Sequence, residues 1–169
     1  LETSGMFRKS AKTGQDPRML MTWRLLAELN AKGQKVSQPF NHERRNEVVS
    51  ALVRALHDNR STENTVKEIL ATEGIAFCIE EKVDKASVDG YSYIEDGTPY
   101  IILTKRYDRI DNFAFALMHE VGHIYLHYLD GSRRDCKLSI PDYDNESAEE
   151  KEANAFAANA LIPNEEWKN

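Results

Sequence analysis

The chain has 169 residues, of which 41% are hydrophobic and 30% charged, and its net charge is −6. This length and composition are typical of one folded domain without a disulfide framework, and the two cysteines favour a reducing, cytoplasmic setting. No apolar run approaches the ~20 residues of a membrane span and no signal peptide is recognisable, so we expect neither membrane insertion nor export.

The first part of the chain, residues 1–74, is predicted to be a helical region that packs on the second part. Apolar residues at helical spacing predict helices at 18–31, at 41–57 with Asn41 as cap, and at 62–73 with Ser61 as cap and Gly74 at the end. Residues 1–60 contain 11 Lys and Arg against 6 Asp and Glu, whereas residues 61–169 contain 11 against 22. These basic residues are scattered, which is unlike the dense basic patch of a nucleic-acid-binding domain.

The second part, residues 75–169, begins with three predicted strands at 75–83, 86–94 and 99–104. The last two are joined by an Asp96-Gly97 turn, which indicates a hairpin. We therefore predict an α+β fold with a small antiparallel three-stranded sheet, covered on one side by helices. Two more helices are predicted after the sheet, at 112–129 and 146–162.

The helix at 112–129 is strongly apolar, and its middle is interrupted by His119, Glu120 and His123, which form an HExxH pattern. The two histidines lie one turn apart and can bind one metal ion, while Glu120 is placed to act as general base. A catalytic zinc ion activates water, and a carboxylate can take the proton from that water and return it to the leaving amine. Burying these three residues without a metal would be costly, and Gly122 indicates that a backbone or a strand approaches closely there.

The third ligand is expected from another element. His127 lies ~12 Å along the helix from His119, too far to share the ion, so it is expected to flank the site or support a ligand. His42 and His57 are expected to be surface residues. The acidic last helix offers four glutamates as candidates: Glu146, Glu149, Glu150 and Glu152. We prefer Glu152 as the ligand because it begins a run of small residues that can pack closely on the HExxH helix. Glu149 is the fallback.

The segment FAFALMHEVGHIYLH, followed after a polar loop by EEKEANAFAANALIP, resembles the ImmA/IrrE family of zinc-dependent metallopeptidases. With GYSYIEDGTPYIILTKRY it is particularly similar to the branch fused behind Xre-type helix-turn-helix segments in HigA-like antitoxin proteins. The resemblance implies a gluzincin-like core with His119, His123 and Glu152 as Zn²⁺ ligands and Glu120 as base. It leaves the transition-state stabiliser open, with Tyr91, Tyr93 and Tyr100 as candidates.

Two functions are compatible with these features. The first is a cytoplasmic zinc metalloendopeptidase that cleaves a regulatory protein, which the resemblance implies to be a helix-turn-helix repressor or antitoxin. The second is a transcriptional regulator or antitoxin of a toxin–antitoxin system whose metallopeptidase-like domain binds or senses a partner with little hydrolysis. Because the helix-turn-helix region of the branch is not in this sequence, we expect the chain to be a fragment that contacts DNA only through a preceding region.

Overall fold

A computed structural model describes residues 14–105, 109–128, 138–139 and 147–162. The described residues form five α-helices and four strands: α1 (Pro17–Lys32), α2 (Arg45–Asp58), α3 (Thr62–Thr72), β1 (Ala76–Glu80), β2 (Gly90–Glu95), β3 (Thr98–Thr104), α4 (Ile110–His127), β4 (Leu138–Ser139) and α5 (Ala148–Leu161). The predicted α+β class is confirmed. None of the described helices combines the length and the apolar composition that crossing a membrane requires.

Some helix ends follow the local chemistry that the sequence predicts, and others do not. The Asn41 side chain accepts a hydrogen bond from the Glu43 backbone N–H and opens a 3₁₀ turn ahead of α2. The sequence predicts Ser61 as the cap of α3, but its backbone is left-handed and its side chain makes no capping bond. Gly74 ends the α3 region at φ +79°, where an added Cβ would lie 2.5 Å from the Phe40 backbone nitrogen. Only glycine fits there, because the conformation and the close approach both exclude a side chain.

The sheet is mixed, with strand order β1-β3-β2-β4. Strands β2 and β3 form the predicted antiparallel hairpin, whose turn contains Asp96 at φ +50° and Gly97 at φ +76°. Strand β1 pairs with β3 in parallel, with Ala76 opposite Tyr100. The prediction of a purely antiparallel sheet is therefore wrong for β1. The reason is that the hairpin inserts β3, not β2, beside β1. The two-residue strand β4 extends the sheet beyond β2.

Helices cover both faces of the sheet, whereas the sequence predicts helices on one side. The first face carries a cluster that includes Trp23 and Ala27 of α1 with Cys78, Tyr91 and Ile102 of the strands. The opposite face carries the larger core, to which α2, α3, α4 and α5 contribute. Alternation along each strand sends successive side chains to these two cores, so both faces must be covered. Helix α4 consequently lies between the sheet and helices α2 and α5.

Helix α5 packs closely on α4, as its small residues predict. Ala153 and Ala157 are fully buried in this contact. An added Cβ at Gly122 would lie 3.1 Å from Cδ1 of Phe156. The close approach at Gly122 is thus made by an α5 side chain and not by the backbone or strand that the sequence predicts. This contact brings the acidic first turns of α5 against the HExxH segment of α4.

Candidate metal centre

The HExxH segment lies in the buried middle of α4. His119, Glu120 and His123 are 7%, 1% and 5% exposed, although all three are polar. The Nε2 atoms of His119 and His123 lie 3.1 Å apart. Two imidazoles on one face of a helix, one turn apart, can therefore offer nitrogen lone pairs to a single point.

Glu150 of α5 completes this group. Its Oε2 lies 3.2 Å from His119 Nε2, and its Oε1 lies 3.2 Å from His123 Nε2. Among the described residues, His119, His123 and Glu150 form the group whose ligand atoms all lie within 4.8 Å of one another. Two imidazole nitrogens and one carboxylate oxygen are a donor set of a catalytic zinc site, which keeps its fourth position for water or substrate. The residues present therefore fit zinc.

Glu152, the ligand predicted from the sequence, lies outside this group. The structure does not bring Glu152 to the two histidines; its Oε2 lies 2.9 Å from Nε2 of His127, and 61% of its side chain is exposed. Residues two apart on an α-helix project about 200° from each other, so Glu150 and Glu152 cannot share a face. Since Glu150 faces the pair on α4, Glu152 lies at the edge of the contact. The fallback, Glu149, is one residue from Glu150, and Glu146 lies outside the described residues.

A signal for Glu150 is present in the sequence. Asn154 follows Glu150 by four residues, so both lie on one face of α5, and Asn154 Oδ1 lies 2.8 Å from Nδ1 of His119. Ser147 caps this helix and accepts a hydrogen bond from the Glu150 backbone N–H. Glu150 and Asn154 are thus two polar residues on the face of α5 that carries the buried alanines. This pattern could have indicated Glu150 as the residue that faces the histidines.

The electrostatics of the group reflect its burial and its pairing. Burial, the largest influence on each group, lowers the pKa of His119 and raises the pKa of Glu150. The hydrogen bond between these two residues opposes burial, with help from Glu120 at His119 and from His123 at Glu150. The net result is a raised pKa of His119 and a pKa of Glu150 well below its usual range. A half-buried carboxylate is thus kept ionised beside the imidazoles, which is the state a cation needs.

His127 lies on the far side of His123 from Glu150. Its Nδ1 lies 2.9 Å from Nδ1 of His123, and its Nε2 faces Glu152. It is therefore a neighbour of one candidate ligand and not part of the group of three, in the position that the sequence assigns to it. His42 and His57, expected at the surface, are exposed.

Glu120 points from α4 to the sheet, where it meets two residues that the sequence does not single out. The Ser92 hydroxyl donates a 2.6 Å hydrogen bond to Glu120 Oε2, and both residues are 1% exposed. An added Cβ at Gly90 would lie 2.6 Å from Glu120 Oε1. Tyr128 donates in turn to the Ser92 backbone carbonyl. Strand β2 thus holds the carboxylate of the proposed base in one place.

The three tyrosines proposed as transition-state stabilisers lie on the other face of the sheet. Tyr91 and Tyr93 belong to the core beneath α1, and Tyr100 packs against that core. The Tyr91 hydroxyl donates to Glu28 of α1 at 2.8 Å. The alternation of β2 sends Ser92 to Glu120 and its two tyrosine neighbours away from it. These candidates are therefore wrong, because the sheet separates them from the histidines.

Comparison with known proteins identifies a family. Residues 74–169 match the family model of the M78 peptidases, described as the IrrE N-terminal-like domain. The matched range is more than half of the chain and includes β1 to α5. No curated protein matches the chain at a significant level.

Proposed function

The chain belongs to the M78 peptidase family of IrrE N-terminal-like domains, and on this premise we propose that it is a zinc-dependent metalloendopeptidase that cleaves a regulatory protein. Family membership supports a metallopeptidase-type function in general. The observation that carries the finer proposal is the approach of the Glu150 carboxylate to within 3.2 Å of both His119 Nε2 and His123 Nε2.

His119, His123 and Glu150 are the residues proposed to hold the zinc ion. When bound, zinc would supply Lewis acidity that polarises a peptide carbonyl and makes water a stronger acid near neutral pH. The remaining steps fall to side chains of this protein. Because α4 provides both histidines, this helix fixes the distance between them before any cation arrives.

Glu120 is proposed as the general base and acid. Its carboxylate would take the proton from the attacking water and pass it to the nitrogen of the leaving amine. Ser92 holds Glu120 Oε2, and Gly90 leaves the space that Oε1 occupies. A carboxylate that is held in this way keeps its position during the proton transfers. This matters because small displacements of a catalytic group lower the reaction rate strongly.

The proposed substrate class is a helix-turn-helix repressor or antitoxin, and its cleavage would change transcription. This part of the proposal is supported by the resemblance of the HEVGH and EANAFAANALIP segments to ImmA/IrrE proteins. A cytoplasmic location agrees with such a substrate.

The experiment compares wild type with three single variants. Metal content of the purified proteins should be about one zinc per chain in wild type, Glu120→Gln and Glu152→Gln, and should be lost in Glu150→Gln. The variants at 150 and 152 are matched, because each removes one carboxylate charge from α5. Loss of zinc from Glu152→Gln and retention in Glu150→Gln would contradict the proposed ligand set.

Activity is then tested on a helix-turn-helix protein encoded beside this one. Wild type should cleave it, and Glu120→Gln, with zinc retained, should not. Zinc retention by wild type with no cleavage would favour the alternative of a regulator that binds its partner without hydrolysis. Absence of zinc from wild type at neutral pH without chelator would refute both functions proposed for the site.

A further inference from the structure

The two histidines that face Glu150 are each held at their outer ring nitrogen by a residue outside the proposed ligand set. His119 Nδ1 lies 2.8 Å from Asn154 Oδ1. His123 Nδ1 lies 2.9 Å from His127 Nδ1, and His127 Nε2 lies 2.9 Å from Glu152 Oε2. Glu152, His127 and His123 therefore form a hydrogen-bonded chain that runs from the surface to the candidate metal centre.

The two histidines of this hydrogen-bonded chain are buried and its glutamate is exposed. The side chains of His123 and His127 are each 6% exposed, whereas that of Glu152 is 61% exposed. A buried imidazole with both nitrogens near polar atoms has little freedom to rotate, because rotation would leave those atoms unpaired. The exposed carboxylate anchors the outer end of the chain.

A bound cation would give this chain a direction. A histidine that binds a cation through Nε2 carries its ring proton on Nδ1, so His123 could then donate from Nδ1 to Nδ1 of His127. His127 would in turn carry its proton on Nε2 and donate it to the Glu152 carboxylate. With the cation bound, the two contacts would therefore be hydrogen bonds that hold the ring of His123.

We propose that His127 and Glu152 are positioning residues that hold the ring of His123 with its Nε2 toward the metal. Asn154 Oδ1 holds Nδ1 of His119 in the same way. Glu152 thus acts on the metal centre through two imidazoles rather than as a ligand. The proposal concerns the same site as the proposed function and rests on it for the identity of the metal.

The first test is zinc affinity, measured by competition with a chromophoric chelator. Loss of an outer partner of a metal-binding histidine typically costs about 10–100-fold in affinity, and we expect that loss for His127→Leu. His127→Asn places an amide oxygen near the position of Nδ1 and should recover most of the affinity. Glu152→Ala should lose less than His127→Leu, because water can reach the exposed end of the chain. Glu68→Ala removes an exposed glutamate on α3 and should bind zinc like wild type.

The second test is thermal unfolding of the same variants with a chelator and with zinc. Zinc should raise Tm more in wild type and His127→Asn than in His127→Leu, because a ligand of the folded state stabilises it according to its affinity. Unfolding with the chelator shows whether each variant folds without metal, so it separates loss of the fold from loss of the contact. Equal zinc affinity in wild type and His127→Leu would overturn the inference, whereas no zinc binding by wild type would instead refute the proposed function.

Discussion

Gly90→Ala tests whether strand β2 positions the proposed base. The new Cβ would lie 2.6 Å from Oε1, 2.9 Å from Cγ and 3.0 Å from Cδ of Glu120, so the Glu120 side chain must move. Gly90 does not have a positive φ, and alanine therefore suits its backbone. The effect of the substitution should come from this one collision.

The loss of stability in Gly90→Ala can be estimated from the hydrogen bond that Glu120 loses. Movement breaks the 2.6 Å hydrogen bond from Ser92 in a site where both residues are buried. A hydrogen bond to a charged group contributes about 1.5–3 kcal/mol, and replacing glycine by alanine returns about 0.4–1 kcal/mol through the unfolded chain. The free energy of unfolding should fall by about 1–2 kcal/mol, and for a chain of this size Tm should fall by about 2–8 °C.

The assay is thermal unfolding of four proteins: wild type, Gly90→Ala, Glu120→Ala and the double variant. In the Glu120→Ala background the colliding side chain is absent, so Gly90→Ala should be neutral or stabilise by up to about 1 kcal/mol. The coupling between the two positions should therefore be about 1.5–3 kcal/mol. Cleavage by Gly90→Ala should fall about 10²-fold with zinc content unchanged, since a displacement of about 1 Å has that effect on catalysis.

Equal effects of Gly90→Ala in both backgrounds would show that the collision is not with Glu120. Unchanged cleavage by Gly90→Ala would show that β2 does not position the base. Either result would refute the role assigned to the Ser92–Gly90 segment.

Two further predictions concern the rest of the fold. Burial raises the pKa of the Cys78 thiol to about 12. In a Cys136→Ala variant, where Cys78 is the remaining cysteine, a thiol reagent at pH 8 should therefore not react until the protein is unfolded. Rapid labelling of the folded variant would contradict the burial of Cys78 beneath α1. The hydrogen bond from Arg44 lowers the pKa of Glu73 below its ordinary value of 4.5, so this pair stabilises the fold above about pH 4.5 and the stabilisation is lost as pH falls through the folded pKa. Glu73→Gln should therefore weaken the loss of stability between neutral and acidic pH in urea titrations, and an unchanged pH dependence would rule out this contribution.

The sequence predicts the parts of the fold that local spacing specifies. Helix α4, the Asp96-Gly97 hairpin and the small-residue contact of α5 each depend on residues within a few positions of one another. His119 and His123 can be assigned to one face because the helical repeat alone brings them together. Their buried polarity also indicates that a partner must come from elsewhere.

The tertiary structure decided the questions that depend on how elements approach each other. Whether Glu150 or Glu152 reaches the histidines depends on the rotation of α5 against α4, and about 200° separates the two residues on an α-helix. Composition does not determine that rotation, because both acids precede the same buried alanines.

In the sheet, too, the sequence predicts the elements, whereas packing determines their neighbours. The residue types of β2 predict a strand, but its neighbours and its two faces depend on the insertion of β3 beside β1. That arrangement turns Ser92 to Glu120 and the tyrosines to α1. By itself the sequence therefore determined a helix with two imidazoles on one face, placed as a metal site requires, and beside them the glutamate proposed as base. The third carboxylate and the residues that hold the base were determined only by packing, because their partners are distant in the chain and no local repeat relates them.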